Sequence, residues 1–108
     1  MENMELTCFQ IISNAGMAKS SFIAAIRSAQ NGNYEEAEKQ MKEGSDSLVN
    51  GHTVHAGLIQ NEAAGTPTQL SLLLIHAEDQ MMSAELTELM AQTLIAQQKQ
   101  IQELKTVS

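Results

Sequence analysis

Residues 67–104 read PTQLSLLLIHAEDQMMSAELTELMAQTLIAQQKQIQEL, with no glycine and no proline after the first position. This uninterrupted run predicts a third helix from about Pro67 to Leu104, which would be over about 50 Å long at about 1.5 Å per residue. Thr66 as N-cap, Pro67 at the first helical position and Gln69 at the third match the signals of a helix start. A helix of this length would overhang a small monomer.

Two further helices are predicted before this run. Apolar residues recur at helical spacing from about Met4 to Gln30, and the sequence Asn-Gly-Asn at 31–33 ends the pattern. Asn33 is then a favourable N-cap for a second helix that reaches about Ala64, with Glu36 completing a capping box.

The second helix carries a stripe with heptad-like spacing. Its members are Ala37, Met41, Gly44, Leu48, Gly51, His55 and Leu58. Since glycine disfavours helix by about 1 kcal/mol relative to alanine, we expect Gly44, Gly51 and Gly57 to let another helix approach closely. A flexible loop around Gly51 is the alternative.

Composition sets the class of the protein. At 108 residues the chain is expected to form one domain, residues 1–108. Aromatic residues make up 3% and tryptophan is missing, so the core must be built from leucine, isoleucine, methionine and alanine, which favours an all-α fold.

The charge balance excludes several partners. Six Lys plus Arg against 13 Asp plus Glu leave a formal net charge of -7, which repels nucleic acids and anionic lipid surfaces. We therefore expect no nucleic-acid partner and, without a leader or a long apolar run, no membrane insertion. The single cysteine, Cys8, predicts a packing residue and a cytoplasmic chain.

Asp79 interrupts an apolar seam on the third helix. At about 100° per residue, six side chains fall within about 60° of it: Leu72, Ile75, Met82, Leu86, Met90 and Thr93. A buried carboxylate needs a partner. If seams from several chains met on an axis, the Asp79 copies would repel or recruit a cation such as magnesium. A surface position or a register-setting polar residue remains open.

His76 lies one turn earlier, at the edge of the same seam. A lone histidine on an apolar face is more often a packing residue, but a neutral imidazole held at one ring nitrogen can attack phosphorus with the other. No glycine-rich phosphate loop accompanies it, so the phosphoryl group would have to arrive already activated. His52 and His55 are a possible metal pair, with cleft-lining and packing roles favoured.

Residues 71–82, SLLLIHAEDQMM, resemble the signature of the lactose/cellobiose-type IIA proteins of the bacterial phosphoenolpyruvate-dependent sugar phosphotransferase system. That signature is an apolar run followed by His-(Ala/Gly)-Gln-Asp-His-Leu-Met. Three further blocks resemble the family in the expected order: ISNAGMAKS at 12–20, NGNYEEA at 31–37 and HTVH at 52–55.

The resemblance implies an antiparallel three-helix bundle protomer that assembles as a parallel trimer. It implies that His76 accepts a phosphoryl group from the phosphohistidine of HPr and passes it to a cysteine of a IIB component. Asp79 would meet its copies near the trimer axis and could hold a magnesium ion, with no organic cofactor. The transported sugar would be a β-glucoside or galactoside disaccharide, with a cellobiose-like sugar favoured.

Three positions depart from the family pattern. Glu78 replaces the usual glutamine, Gln80 replaces the usual histidine after the aspartate, and His55 replaces the usual glutamine. Since an amide cannot take up a proton at neutral pH, we expect phosphotransfer to survive with a different pH profile. Gln80, Glu78 and His52 are the further candidate site residues.

Two other functions compete with the carrier. One is a non-catalytic helical oligomer acting as an adaptor or regulator, with His76 as a core residue. The other is a small metal-binding bundle that uses His52, His55 and Asp79.

Overall fold

The computed structural model describes residues 4–107 and contains three helices in that range. They are α1 (Met4–Gln30), α2 (Tyr34–Ala63) and α3 (Leu72–Val107). Helix α1 packs along both of the others, whereas α2 and α3 touch each other much less. Neighbours in the chain run antiparallel, so the predicted all-α class and three-helix bundle are confirmed.

The first turn, between α1 and α2, is closed by Gly32. Its φ of 82° lets its N–H donate to the Ala29 carbonyl at 2.9 Å, while the Asn33 N–H donates to the Ser28 carbonyl at 2.8 Å. This is the Schellman arrangement, in which a left-handed residue satisfies the last carbonyls of a helix. The break predicted at residues 31–33 is confirmed.

The predicted capping box at Asn33 is wrong, because the Asn33 side chain makes no capping hydrogen bond. The backbone of Asn33 already makes a hydrogen bond with each of the two helices. The N–H closes α1, and the carbonyl accepts from the Ala37 N–H at 3.0 Å. The closing turn of α1 leaves Asn33 with φ -92° and ψ 71°, outside the extended region that an N-cap usually adopts.

The predicted start of α3 at Pro67 is also wrong. Thr66, the expected N-cap, instead completes the end of α2: its N–H and its hydroxyl each donate to the Asn61 carbonyl at 2.9 Å. Gly65, with φ 90°, makes this closure possible. A residue used to finish one helix is not in a position to begin the next.

Helix α3 begins at Leu72, where Ser71 is the N-cap. The Ser71 hydroxyl accepts from the Leu74 N–H at 3.1 Å, and its carbonyl accepts from the Ile75 N–H at 3.0 Å. The helix continues to Val107, beyond the predicted end at Leu104, and its 36 residues dominate a molecule 61 Å long and 20 Å wide. Within residues 4–107 we find no helix with an apolar stretch long enough to cross a bilayer.

A stripe of mostly small side chains on α1 forms the centre of the core. Its members alternate at spacings of three and four residues, as in a heptad repeat: Cys8, Ile11, Ala15, Ala18, Phe22, Ala25 and Ala29. The buried residues of α2 and α3 pack around this stripe. Small residues keep the helix axes close, so α1 can contact both neighbours along its length.

The glycines of α2 differ in what they face. A Cβ on Gly44 would lie 2.5 Å from the Phe22 ring, and one on Gly51 would lie 2.7 Å from the Met81 methyl carbon. The predicted close approach is confirmed at both, and α2 is continuous through Gly51. At Gly57 it is wrong, since no atom lies within 4 Å.

The seam around Asp79 faces away from the bundle. Its large apolar members are at least half exposed in the single chain: Leu72, Ile75, Met82, Leu86 and Met90. A different stripe of α3 packs inward, made of Leu74, Ala77, Met81, Ala84 and Ala91. Helix α3 is therefore apolar on two opposite sides, and only one of them is covered within the chain.

Gly44→Ala should lower the free energy of unfolding by about 1–2 kcal/mol, because the strain of an added methyl against the buried Phe22 ring outweighs the helix propensity of alanine. Gly57→Ala makes the same chemical change in open space and should raise that free energy by about 0.5–1 kcal/mol. Urea unfolding followed by circular dichroism at one protein concentration measures both. Equal stability of the two variants would contradict the packing described for Gly44.

Candidate functional site

His76 is exposed and differs from the other two histidines in its contacts. In residues 4–107, no hydrogen bond or ion pair joins the His76 ring to another group. By contrast, the His52 ring lies 2.7 Å from a Glu85 oxygen, and the His55 ring lies 2.6 Å from a Glu78 oxygen. His76 therefore has both ring nitrogens available to an incoming group.

Gln80 follows His76 by one helical turn and extends toward α1. There the Lys19 ammonium donates a hydrogen bond to the Gln80 side-chain oxygen over 2.5 Å, and both residues are half-buried. Residues four apart on a helix are neighbours on its surface, with about 5–6 Å between their Cβ atoms. The Gln80 amide therefore shares a helix surface with the imidazole, and the Lys19 ammonium is bound to that amide.

Asp79 is exposed in the single chain, between Ile75 and Met82 on the outward seam. A carboxylate in this position is solvated and needs no partner within the chain. In the described part of the chain, no group of three histidine, cysteine or acidic side chains is arranged to hold a metal ion. Carboxylates from further copies would be needed to complete a cation site at Asp79.

Polar side chains line the contact between α2 and α3. In addition to the His52–Glu85 and His55–Glu78 pairs, the Ser45 hydroxyl donates to a Glu88 oxygen over 2.6 Å. Glu78 and His52 therefore face the α2–α3 contact, on the side of α3 away from His76. A role for them at the His76 site stays a prediction, whereas His55 is the hydrogen-bonded packing residue that was predicted.

The matching family accounts for almost the whole chain. Residues 6–99 match the model described as the PTS system, lactose/cellobiose-specific IIA subunit. The chain belongs to this family. IIA components of the phosphotransferase system are phosphotransfer proteins, and they work with HPr and IIB components.

Individual relatives agree with this assignment. The chain is similar to the lichenan-specific phosphotransferase enzyme IIA component of Bacillus subtilis, with 38% identity over 99% of this chain and 97% of the relative. It is 33% identical to the lactose-specific EIIA component of Streptococcus mutans, over 87% and 90% of the two chains. The IIA family is thus shown across nearly the full length.

A solved structure shows the same fold. The cellobiose-specific enzyme IIA of Bacillus anthracis superimposes with a TM-score of 0.89 at 34% identity, covering 91% of this chain and 90% of that one. The resemblance seen in the sequence is confirmed by both kinds of similarity.

Two of the departures from the IIA family pattern touch each other. His55 and Glu78 replace two glutamines, and in this IIA protein they form the 2.6 Å pair between α2 and α3. The pair makes a polar contact across the helices between an acid and an imidazole. The third departure, Gln80, is the residue that bonds to Lys19.

Two residues near these sites were not predicted from the sequence. In the sequence, Lys19 is marked only as a member of the block at 12–20, and no motif includes Glu85. A signal for Glu85 exists, since Glu78 and Glu85 are seven apart on α3 while His52 and His55 are three apart on α2. Both spacings place like residues on one helix face. Nothing local indicates that Lys19 reaches Gln80.

Cys8 is a packing residue of this IIA protein, as predicted. Its side chain is buried in the core between the helices. Burial raises the pKa of the Cys8 thiol above its ordinary value, and the negative charge of the Glu78 carboxylate raises it further. Both effects keep the sulfur protonated and unreactive.

Cys8 in the native protein should react with iodoacetamide at least about tenfold more slowly than in the urea-unfolded chain, because alkylation requires an exposed thiolate. Intact-mass measurements over time at pH 8 follow the reaction. Since the pKa is raised, the native rate should climb only at a higher pH than the unfolded rate. Similar rates in the two states would contradict the burial of Cys8.

Proposed function

We propose that this IIA family member is a cytoplasmic phosphoryl carrier in which His76 is the acceptor. It takes the phosphoryl group from the phosphohistidine of HPr and gives it to a cysteine of the cognate IIB component. One observation carries the proposal: within residues 4–107 the exposed His76 ring has no hydrogen-bond partner, whereas the His52 and His55 rings each contact a glutamate. Each of those two rings has its Nε2 engaged by a carboxylate at the α2–α3 contact, on the side of α3 away from His76.

The transfer exchanges one nitrogen–phosphorus bond for another. The lone pair of a His76 ring nitrogen attacks the phosphorus, and the bond to the donor imidazole breaks with its electron pair returning to the donor nitrogen. In the second step a thiolate of the IIB component attacks, a sulfur–phosphorus bond forms, and His76 recovers its lone pair. Each step conserves the phosphoryl group, so no nucleotide or organic cofactor is required.

The protein has to supply position more than covalent chemistry. Phosphoryl transfer passes through a loose transition state whose charge rests on the equatorial oxygens, so alignment and nearby donors supply most of the catalysis. A net charge of -7 favours a partner with basic residues around its own active histidine.

The sugar at the end of the pathway is proposed to be a β-linked, cellobiose-like disaccharide. Support comes from the relatives, which are named for lichenan, lactose and cellobiose. The carrier itself contacts proteins at His76, so the choice between these sugars belongs to the membrane component.

We also propose that the functional unit is a parallel homotrimer with the outward seam of α3 on its axis. An apolar face along a helix of 36 residues is costly to leave in water, and copies of the same seam would cover it. Three Asp79 carboxylates would then converge. Oxygen ligands of this kind, completed by water, suit a hard divalent cation such as magnesium, which would neutralise their charge.

His76→Ala should abolish labelling of the chain by phosphorylated HPr while leaving its helix content unchanged, because the acceptor nitrogen is lost from an exposed position. His55→Gln is the matched control: it removes an imidazole but keeps a polar group facing Glu78, and should still be labelled. Intact mass after incubation with phosphoenolpyruvate, the general phosphotransferase enzyme and HPr measures the label. A labelled His76→Ala chain would exclude the proposed acceptor, and an unlabelled wild type would favour the adaptor function.

Asp79→Leu should raise the melting temperature of the oligomer in the absence of divalent cations, since it replaces converging charges with apolar surface. Added magnesium should stabilise the wild type and leave this variant unchanged. Asp46→Leu, which removes an exposed aspartate on α2, is the control and should retain the response to magnesium. Unchanged mass and melting in Asp79→Leu would count against an axial position.

A further inference from the structure

Lys19 and Gln80 make a contact between α1 and α3 that neither helix needs for its own hydrogen bonds. The two residues are 61 positions apart in the chain, and their polar atoms lie 2.5 Å from each other. Lys19 is one of two cations in α1, the other being Arg27 near the end of that helix. Its ammonium is brought to the one turn of α3 that follows His76.

We propose that Lys19 is a positioning residue for phosphoryl transfer: by bonding the side-chain oxygen of Gln80, it directs the amide NH2 of Gln80 toward a phosphoryl group on His76. The inference rests on the proposed function of His76 as the acceptor. It assigns a role to two residues, one of which, Gln80, departs from the family pattern.

The direction of the amide follows from donor and acceptor chemistry. A lysine ammonium has three donors and no acceptor, so the atom of Gln80 that it contacts has to be the oxygen. The NH2 group at the other corner of the planar amide remains to donate elsewhere. With about 5–6 Å between the Cβ atoms of residues four apart, this group is within reach of oxygens attached to the His76 ring.

Without Lys19 the amide could rotate and present its oxygen to the phosphoryl group. Two electron-rich oxygens would then face each other, and the hydrogen bond that favours the phosphorylated state would be lost. A charge-assisted bond from an ammonium holds an amide orientation more firmly than a bond between neutral groups. Lys19 thus acts on phosphorylation through Gln80.

Charge adds to this effect. A phosphoryl group brings about -1.5 to -2 charges at pH 7, and here it joins a helix segment that already carries Glu78 and Asp79. The chain has a net charge of -7, so phosphorylation increases its self-repulsion. Lys19 is a half-buried cation next to the affected turn, where solvent screens its field less than at an exposed site.

The test is the equilibrium and rate of phosphoryl exchange between HPr and the full-length chain. Lys19→Met should shift the exchange equilibrium toward phosphorylated HPr by about tenfold and lower kcat by a similar factor, with the KM for HPr nearly unchanged. Lys19→Arg keeps the donors and should restore most of the loss. Lys42→Met removes an equally charged side chain at an exposed position on α2 and should behave as wild type.

A double-mutant cycle separates positioning from a tether between the helices. Gln80→Leu preserves side-chain size but lacks the amide, and it should reproduce the part of the Lys19→Met defect that arises from the amide. The two changes together should be no worse than Lys19→Met alone, because without Lys19 the Gln80 amide no longer directs its donor to the phosphoryl group. The helix content and melting temperature of each variant show whether the bundle is intact. If Lys19→Met is poorly folded, Lys19→Arg and Gln80→Leu still test the proposal.

The outcomes distinguish this inference from the proposal on which it rests. An unlabelled wild-type chain would overturn the carrier function itself. A labelled wild type with Lys19→Met equal to Lys42→Met in equilibrium and kcat would overturn only the role of Lys19. A lowered melting temperature with normal exchange would also overturn it, since Lys19 would then be a structural tether alone.

Discussion

The packing of α1 between α2 and α3 is the constraint on which the rest of the structure depends. Its stripe of small side chains lets both neighbours approach, and Gly44 gives the Phe22 ring a place where a larger residue would clash. Because α1 occupies the centre, α2 and α3 touch each other less than either touches α1, and polar pairs line part of their contact. The packing against α1 and α2 therefore decides which faces of α3 are buried and which are left exposed.

Five consecutive residues of α3 show how one helix serves several surfaces. At about 100° per residue, successive side chains turn to different neighbours. Ala77 is buried against the core, Glu78 bonds to α2, Gln80 bonds to α1, and His76 and Asp79 point outward. The segment can therefore fix the helix in the bundle and still present an imidazole to a partner, since these tasks fall on separate faces.

The departures from the family pattern have physical meaning once their contacts are known. The departures at His55 and Glu78 contact each other and form a polar pair between α2 and α3. Gln80 has no proton to exchange, but its amide can be oriented from outside, and Lys19 is placed to do this. The three departures therefore take part in two contacts. His55 and Glu78 join α3 to α2, and Gln80 joins α3 to α1.

The sequence alone determined the all-α class, the three helices, the breaks near residues 31–33 and 64–66, and the phase of the outward seam, because helical periodicity and glycine turns are local properties of the chain. It did not determine where α3 begins, since Thr66 finishes α2, or how α2 is capped, since the backbone of Asn33 finishes α1. Nor did it distinguish Gly57 from Gly44, or show that His52 and His55 each contact a glutamate. These contacts, and the bond from Lys19 to Gln80, depend on which helix faces meet. Only the tertiary structure decides which faces meet, because the partner residues lie far apart in the chain.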